Sequence, residues 1–155
     1  MTITSAICNS FKQEILVEVH NFTNGTDNFK IALYSSNSAT LSKSTTAYTA
    51  PADATADPTN TYEVTTTSSG YSAGGNTLTS TTPVLSGDTA CCKFADTSWG
   101  SSASFTARGC LIYNSSASNK AVCAINFGAD KTVTSGTFTI QFPAQTAGNA
   151  IIQIA

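Results

Sequence analysis

The chain has 155 residues, of which 41% are hydrophobic and only 10% are charged, with a net charge of −2. A chain of this length can bury a core of its own, and its apolar content is too high for a disordered protein. The seven Lys and Arg residues are scattered along the chain, which excludes a basic surface for nucleic acid. We therefore expect a single domain spanning residues 1–155, with a nearly neutral surface rich in hydroxyl groups.

The opening sequence, MTITSAICNSFKQEI, lacks the cationic segment and apolar run of a signal peptide. No apolar run reaches the roughly 20 residues that a membrane-spanning helix needs. We therefore expect a protein that is made in a cytoplasm, does not enter a membrane and does not use the general secretory route.

The N-terminal segment, residues 8–21, is predicted to be a helix. Asn9 or Ser10 would cap its start, and His20 would cap its end or face solvent. The competing interpretation is a strand, because ILVEVHNF is rich in β-branched residues and partly alternates. The helix is favoured because four apolar residues share one helical face: Phe11, Ile15, Leu16 and Val19.

Residues 29–155 are predicted to form strands separated by turns rich in Gly, Asn and Ser. FKIALYS alternates as a half-buried strand does, and the closing AIIQIA should pair in a sheet or against a partner. A long polar stretch with two prolines, residues 36–60, is expected to be a surface excursion. A short strand is predicted at the start of 61–75, and a strand broken by Pro83 within 76–88. Further strands are predicted at 89–99, 102–115, 121–128 and 137–143, with a turn at 129–136.

Strand runs of this length and spacing predict an all-β fold, an antiparallel β-sandwich or jelly-roll-like single domain with a short N-terminal helix. The sequence shows no alternation of strands and helices, and no internal repeat.

The five cysteines could bind a metal, form a redox pair, form a disulfide or pack as small apolar residues. Adjacent residues of a strand point to opposite faces, so Cys91 and Cys92 would diverge. The chain has no C-x-x-C motif and only one His, so zinc-ligand spacing is missing. Packing as buried free thiols is the favoured interpretation, and one disulfide between paired strands is the alternative.

The sequence offers no catalytic set. His20 is the only histidine, and most carboxylates lie in turn contexts where they accept local backbone hydrogen bonds. Nucleophile-elbow, phosphate-loop and dinucleotide patterns are absent. Trp99, Tyr113 and Tyr71 could stack on carbohydrate, although buried strand aromatics are the commoner case. We therefore expect no enzyme activity, no catalytic residues, no cofactor and no metal.

The segment SASFTARGCLIYNSSASNKAVCAINFGADKTVTSGTFTIQF (102–142) resembles a family of small structural proteins of tailed bacteriophages, including viruses of cyanobacteria. The motifs that carry the resemblance are Trp99, ARGCLIYN (107–114), NK (119–120), FG (127–128) and TSGTFTIQ (134–141). The opening ICNSFKQEIL followed by FKIALYS also fits this family. The likeness covers most of the chain, and the loop at residues 50–61 departs from it in length and in its prolines.

The resemblance implies a virion protein, made in the host cytoplasm and released by lysis. The first expectation is a capsid decoration (cement) protein that binds the major capsid protein and copies of itself, as a trimer. The alternative is a tail or fibre-associated module that binds host glycans. Contacts would come from apolar patches and edge strands, although ordinary core packing explains each candidate as well. The candidate contact residues are Ile3, Ile7, Phe11, Ile151, Ile152 and Ile154.

Overall fold

The computed structural model describes residues 2–35, 40–49, 62–64 and 69–155. The N-terminal part contains a two-residue strand, β1 (Ala6–Ile7), and one short helix, α1 (Asn9–Glu14), which continues as a 3-10 turn (Ile15–Val17). Seven strands follow: β2 (Phe29–Tyr34), β3 (Asn76–Leu78), β4 (Val84–Ser86), β5 (Thr89–Cys92), β6 (Thr97–Asn114), β7 (Lys120–Ile140) and β8 (Ile152–Ile154).

The strands form two antiparallel sheets, one of five strands in the order β1-β7-β6-β2-β3 and one of three strands in the order β4-β5-β8. The structure is mostly β with a single short helix in its described part, so the predicted fold class, an all-β sandwich with a short N-terminal helix, is confirmed. The closing segment also behaves as predicted, because β8 pairs with β5.

The helix is shorter than the predicted span of residues 8–21. Its N-cap is Cys8, without a side-chain hydrogen bond, rather than Asn9 or Ser10. The 3-10 turn that continues the helix ends where Glu18 adopts a left-handed conformation with φ of 60°, and the amide of Val19 donates to the carbonyl of Glu14 across this turn. The β-branched residues that favoured a strand have low helix propensity, which accounts for the early end.

A long hairpin of β6 and β7 forms the centre of the larger sheet. The segment 129–136, predicted to be a turn, instead lies inside β7 and pairs with β6 in part, for example Thr132 with Thr106. The polar residues of this segment are accommodated by a bulge in β7. Residues 127–130 lie opposite Arg108 alone, and regular pairing resumes on both sides of them. A strand partner along β6 therefore overrides the local sequence signal.

An aromatic cluster joins the two sheets. Phe22 stacks on Phe29 of β2 with ring centroids 4.4 Å apart, and Phe94, just after β5, lies 5.5 Å from Phe29. Phe142, which follows β7, packs against Phe94 at 5.5 Å. All four rings are buried, so the core lies between the sheets and is closed by the segments that follow β5 and β7.

Strand β2 was predicted to be half-buried, but Ala32 and Tyr34 are as buried as Ile31 and Leu33. Both faces of the strand are therefore covered. Beside the strand, the carbonyl of Leu33 accepts a hydrogen bond from the amide of Val64 at 2.9 Å. An alternating pattern predicts which residues share a face, but it does not show that both faces are covered.

Candidate functional site

His20, the only histidine, is buried rather than capping the helix or facing solvent. Its Nε2 lies 2.9 Å from Oε2 of Glu14, and its Nδ1 lies 3.2 Å from Nδ2 of Asn114. The same Asn114 amide donates to Oδ2 of Asp27 at 2.7 Å. Both ring nitrogens are therefore occupied by protein partners, and the geometry suits bracing of the N-terminal segment rather than proton transfer to a substrate.

Glu14 connects this network to the long hairpin. The ammonium group of Lys120 donates to its Oε1 at 2.6 Å. Burial raises the pKa of Glu14, but hydrogen bonds from Lys120 and His20 outweigh burial, and the net pKa is lowered. The carboxylate thus stays ionised and ties the end of α1 to the start of β7.

A second buried carboxylate, Glu63, lies in a cage of donors. Its Oε1 accepts from the hydroxyl of Tyr71 and from the amide of Gly74, both at 2.7 Å. Its Oε2 accepts from the hydroxyl of Tyr48 at 3.0 Å. Burial raises the pKa of both tyrosines, and the nearby charge of Glu63 raises it further. All three donors point at this one carboxylate, which is buried, so Glu63 acts as a structural anchor.

Four of the cysteines, Cys91, Cys92, Cys110 and Cys123, lie on strands, and Cys8 lies at the start of the helix. Cys91 is buried and its neighbour Cys92 is half-buried, as expected for adjacent strand residues that point apart. All five are free thiols. Burial raises the pKa of Cys8 to about 11 and of Cys123 to about 12, so these thiols are protonated and unreactive near neutral pH. No group of three or more His, Cys, Asp or Glu suited to a metal occurs among the described residues.

The six candidate contact residues fall into two sets. Ile3, Phe11 and Ile152 are almost fully buried in the core, so these three are not surface contacts, and ordinary packing is the correct explanation for them. Ile7 and Ile151 are half-buried, and Ile154 is 58% exposed. Only the second set is available to a partner.

Ile7 and Ile151 line two adjoining hollows beside β7, which together we call the groove. The larger hollow has a volume of about 450 Å³, and the smaller, about 270 Å³, shares Ile125 and Ile151 with it. The larger hollow is lined mainly by apolar side chains, and the polar residues along it are Lys131, Thr139 and Gln141. Lys131 is the one charged residue among its described lining residues. Its main apolar lining residues are Ile125, Phe127, Phe138, Ile140, Phe142 and Ile151. An open apolar hollow of this size suits binding rather than catalysis.

Ile154 belongs to an exposed aliphatic row on the smaller sheet. Leu85 of β4 is opposite Ala90 of β5, and Ala90 is opposite Ile154 of β8, so the three side chains lie on one face. Leu85 is 76% exposed. The row is the continuation of the face that carries Ile152, two residues along β8 and buried in the core.

A third apolar surface was missed by the sequence assignment. Leu16, assigned to the buried stripe of the helix, is 83% exposed, and the adjacent Val17 is 64% exposed. We call these two residues the knob. The turn that carries them is held at both ends, because Glu14 and His20 contact each other at its base. The signal that could have found the knob is the run of β-branched residues that shortens the helix.

The aromatic residues considered for carbohydrate stacking are unavailable. Trp99, Tyr71 and Tyr113 are all buried, and Trp99 and Tyr71 pack against each other at 6.1 Å. In the described ranges, the structure also contains no helix of the length and apolar character needed to cross a membrane. Comparisons with protein families, with curated proteins and with solved structures find no match to this chain.

Proposed function

We propose that this chain is a structural protein of a tailed-phage particle, a capsid decoration protein that binds the major capsid protein and stabilises the head lattice. The observation that carries the proposal is the exposed aliphatic row of Leu85, Ala90 and Ile154. The resemblance of residues 102–142 supports the phage setting. Such a role needs no catalytic residue and no cofactor.

The row supports a docking role because it extends a core-forming face into solvent. Apolar surface removed from water contributes roughly 25 cal/mol per Å². A partner that covers the exposed Leu85 and Ile154 would therefore gain binding free energy from their burial. Only 10% of the residues are charged, which lowers the desolvation cost of covering the neighbouring surface. A partner with an apolar surface would bury the row at little polar cost.

The area of the row is small for a stable pairwise complex, since specific interfaces bury about 1,200–2,000 Å² in total. A weak contact repeated over a lattice is a different case, because linked copies bind with raised effective concentration. A protein that binds only the assembled shell stabilises that state by mass action. The small row therefore fits a decoration protein better than a tight binary partner.

The proposal is tested by counting copies of this protein in purified particles of the encoding phage, by quantitative mass spectrometry against the major capsid protein. Hundreds of copies in fixed ratio to the capsid protein would support decoration of the head. A few dozen copies would overturn decoration and place the protein in the tail, and no copies would overturn the virion role.

The contribution of the row is tested by adding the purified protein to undecorated shells. We expect the Leu85→Ser and Ile154→Ser variants to bind more weakly, by about tenfold in combination. The matched control is Val84→Ser, which changes a neighbouring aliphatic residue of β4 that points to the opposite face. Equal weakening by the control would show that the row is not the docking surface.

A further inference from the structure

We propose that the knob of one copy docks into the groove of another copy, so that this chain associates with itself through two unlike surfaces. This contact rests on the proposed assembly role and adds a self-association surface to it. It is tested on the purified protein alone, so that its failure can be told apart from failure of the decoration role. The two surfaces are the exposed pair Leu16 and Val17 and the apolar hollow beside β7.

The shape and chemistry of the two surfaces match. The knob is an exposed aliphatic pair, and the larger hollow of the groove is concave, mainly apolar and about 450 Å³ in volume. Leu16 and Val17 line neither hollow of their own chain. Among the described residues, the knob therefore does not line the groove of its own chain. The groove of a second copy offers it a concave, mainly apolar surface.

Charge complementarity favours the same pairing. Glu18 follows the knob directly and is exposed, while the exposed Lys131 lines the groove. Neither residue makes an ion pair in the described part of the chain, whose ion pairs are His20–Glu14, Arg108–Asp130 and Lys120–Glu14. When Leu16 and Val17 enter the groove, Glu18 and Lys131 meet at its edge as opposite charges.

The knob is also presented with little freedom, which lowers the entropic cost of docking. The left-handed Glu18 and the bond from the amide of Val19 to the carbonyl of Glu14 fix the turn. His20 then anchors it to Asn114 on the long hairpin. The backbone that carries Leu16 and Val17 is therefore ordered before docking, so it need not be ordered on binding.

A contact between unlike surfaces is heterologous, so it produces a closed ring where the rotation closes and an open filament where it does not. Three copies closing into a ring would give the trimer expected from the resemblance. The contact covers only a few side chains, so association of the isolated protein should depend on concentration.

The first experiment is sedimentation equilibrium of the purified protein from micromolar to about millimolar concentration, the range of weak association constants. We expect the natural chain to associate and the Leu16→Ser, Val17→Ser double variant to associate at least about tenfold more weakly. Both side chains are exposed, so the variant should fold, and circular dichroism checks this. The matched control is Leu85→Ser, which changes another exposed leucine on the smaller sheet and should associate as the natural chain does.

The second experiment exchanges the charges. Glu18→Lys and Lys131→Glu should each weaken association, because each places like charges at the edge of the groove, and the double variant should recover it. Recovery would assign the two residues to one contact. A natural chain that stays monomeric, a knob variant that associates normally, loss of association in Leu85→Ser, or no recovery in the double charge variant would each overturn the knob–groove contact.

The two proposals fail separately. A monomeric protein found in hundreds of copies on particles would overturn the knob–groove contact and keep the decoration role. A self-associating protein absent from particles would overturn the decoration role and keep the contact.

Discussion

Glu63 should be the most costly side chain to remove outside the aromatic core. The Glu63→Ala variant leaves three buried donors without their acceptor: the hydroxyls of Tyr48 and Tyr71 and the amide of Gly74. An unsatisfied buried donor costs about 1–3 kcal/mol. Allowing for relaxation, we expect a loss of about 3–6 kcal/mol, a large share of the 5–15 kcal/mol typical of a domain.

Glu63→Gln is the matched control because it keeps the size of the side chain. Its oxygen can still accept from Tyr71 and Gly74, and its amide can donate to the hydroxyl of Tyr48, which rotates to accept. The charge-assisted bonds become neutral, so a loss of about 1 kcal/mol is expected.

Urea unfolding of the two variants measures both effects, followed by the fluorescence of Trp99, whose ring lies 6.1 Å from Tyr71. A loss below about 1 kcal/mol in Glu63→Ala would refute the reasoning, since it would mean that the three donors find other partners. Equal losses in Glu63→Ala and Glu63→Gln would show instead that the charge, and not the acceptor positions, holds the cage.

Three further predictions concern acid stability, thiol reactivity and one glycine. The folded-state pKa of Glu14 is lowered, so its contribution to stability is present above its unfolded pKa of about 4.3 and is lost as pH falls through the lower folded pKa. The Glu14→Gln variant should therefore lose less stability in acid than the natural chain does. A stability–pH curve with an unchanged acid limb would contradict this. A thiol reagent at pH 8 should label Cys92 of the folded protein first, because it is the one half-buried cysteine. The intact mass after unfolding in the reagent should show five labels. Rapid labelling of Cys123 in the folded protein would contradict its raised pKa. Gly75→Ala should cost several kcal/mol of stability because a methyl group there would overlap the carbonyl of Ile31. Gly87→Ala, also at positive φ but in open space, should cost about 1–2 kcal/mol. Thermal unfolding compares the two variants, and equal losses would contradict the role of the overlap.

The fold class followed from features that are local in the sequence. Alternation and turn residues predicted the position of β2, because strand pairing there agrees with the local pattern. The strands predicted at 89–99 and 102–115 are observed instead as a short β5 and a continuous β6 that begins at Thr97. The predicted turn at 129–136 was wrong because a strand partner outweighed polar, glycine-containing sequence. The predicted excursion at 36–60 lies largely outside the described residues, including both of its prolines.

The candidate surfaces were harder to predict than the fold. Ile152 and Ile154 are two residues apart and chemically identical, yet the first is buried in the core and the second is exposed, so the covering layer does not extend to Ile154. Leu16 was predicted to lie on the apolar face of the helix but is exposed, because the helix ends at Glu14 instead of continuing to residue 21. Sequence pattern predicts which residues are apolar and which share a face; the extent of the covering layer is a tertiary property.

The pairing of β1 with β7 has a consequence for how the chain is made. Ala6 is opposite Ala124, and Nδ2 of Asn126 donates to the carbonyl of Ile3 across 123 positions of sequence. Residues 3–7 are therefore synthesised well before their partners at 123–126, which follow 123 positions later in the case of Ile3 and Asn126. Contacts of such long range slow folding, and until its partner exists an unpaired apolar segment can associate with the wrong surface. We therefore expect the chain to fold after synthesis rather than during it, with docking of the N-terminal segment among the last steps.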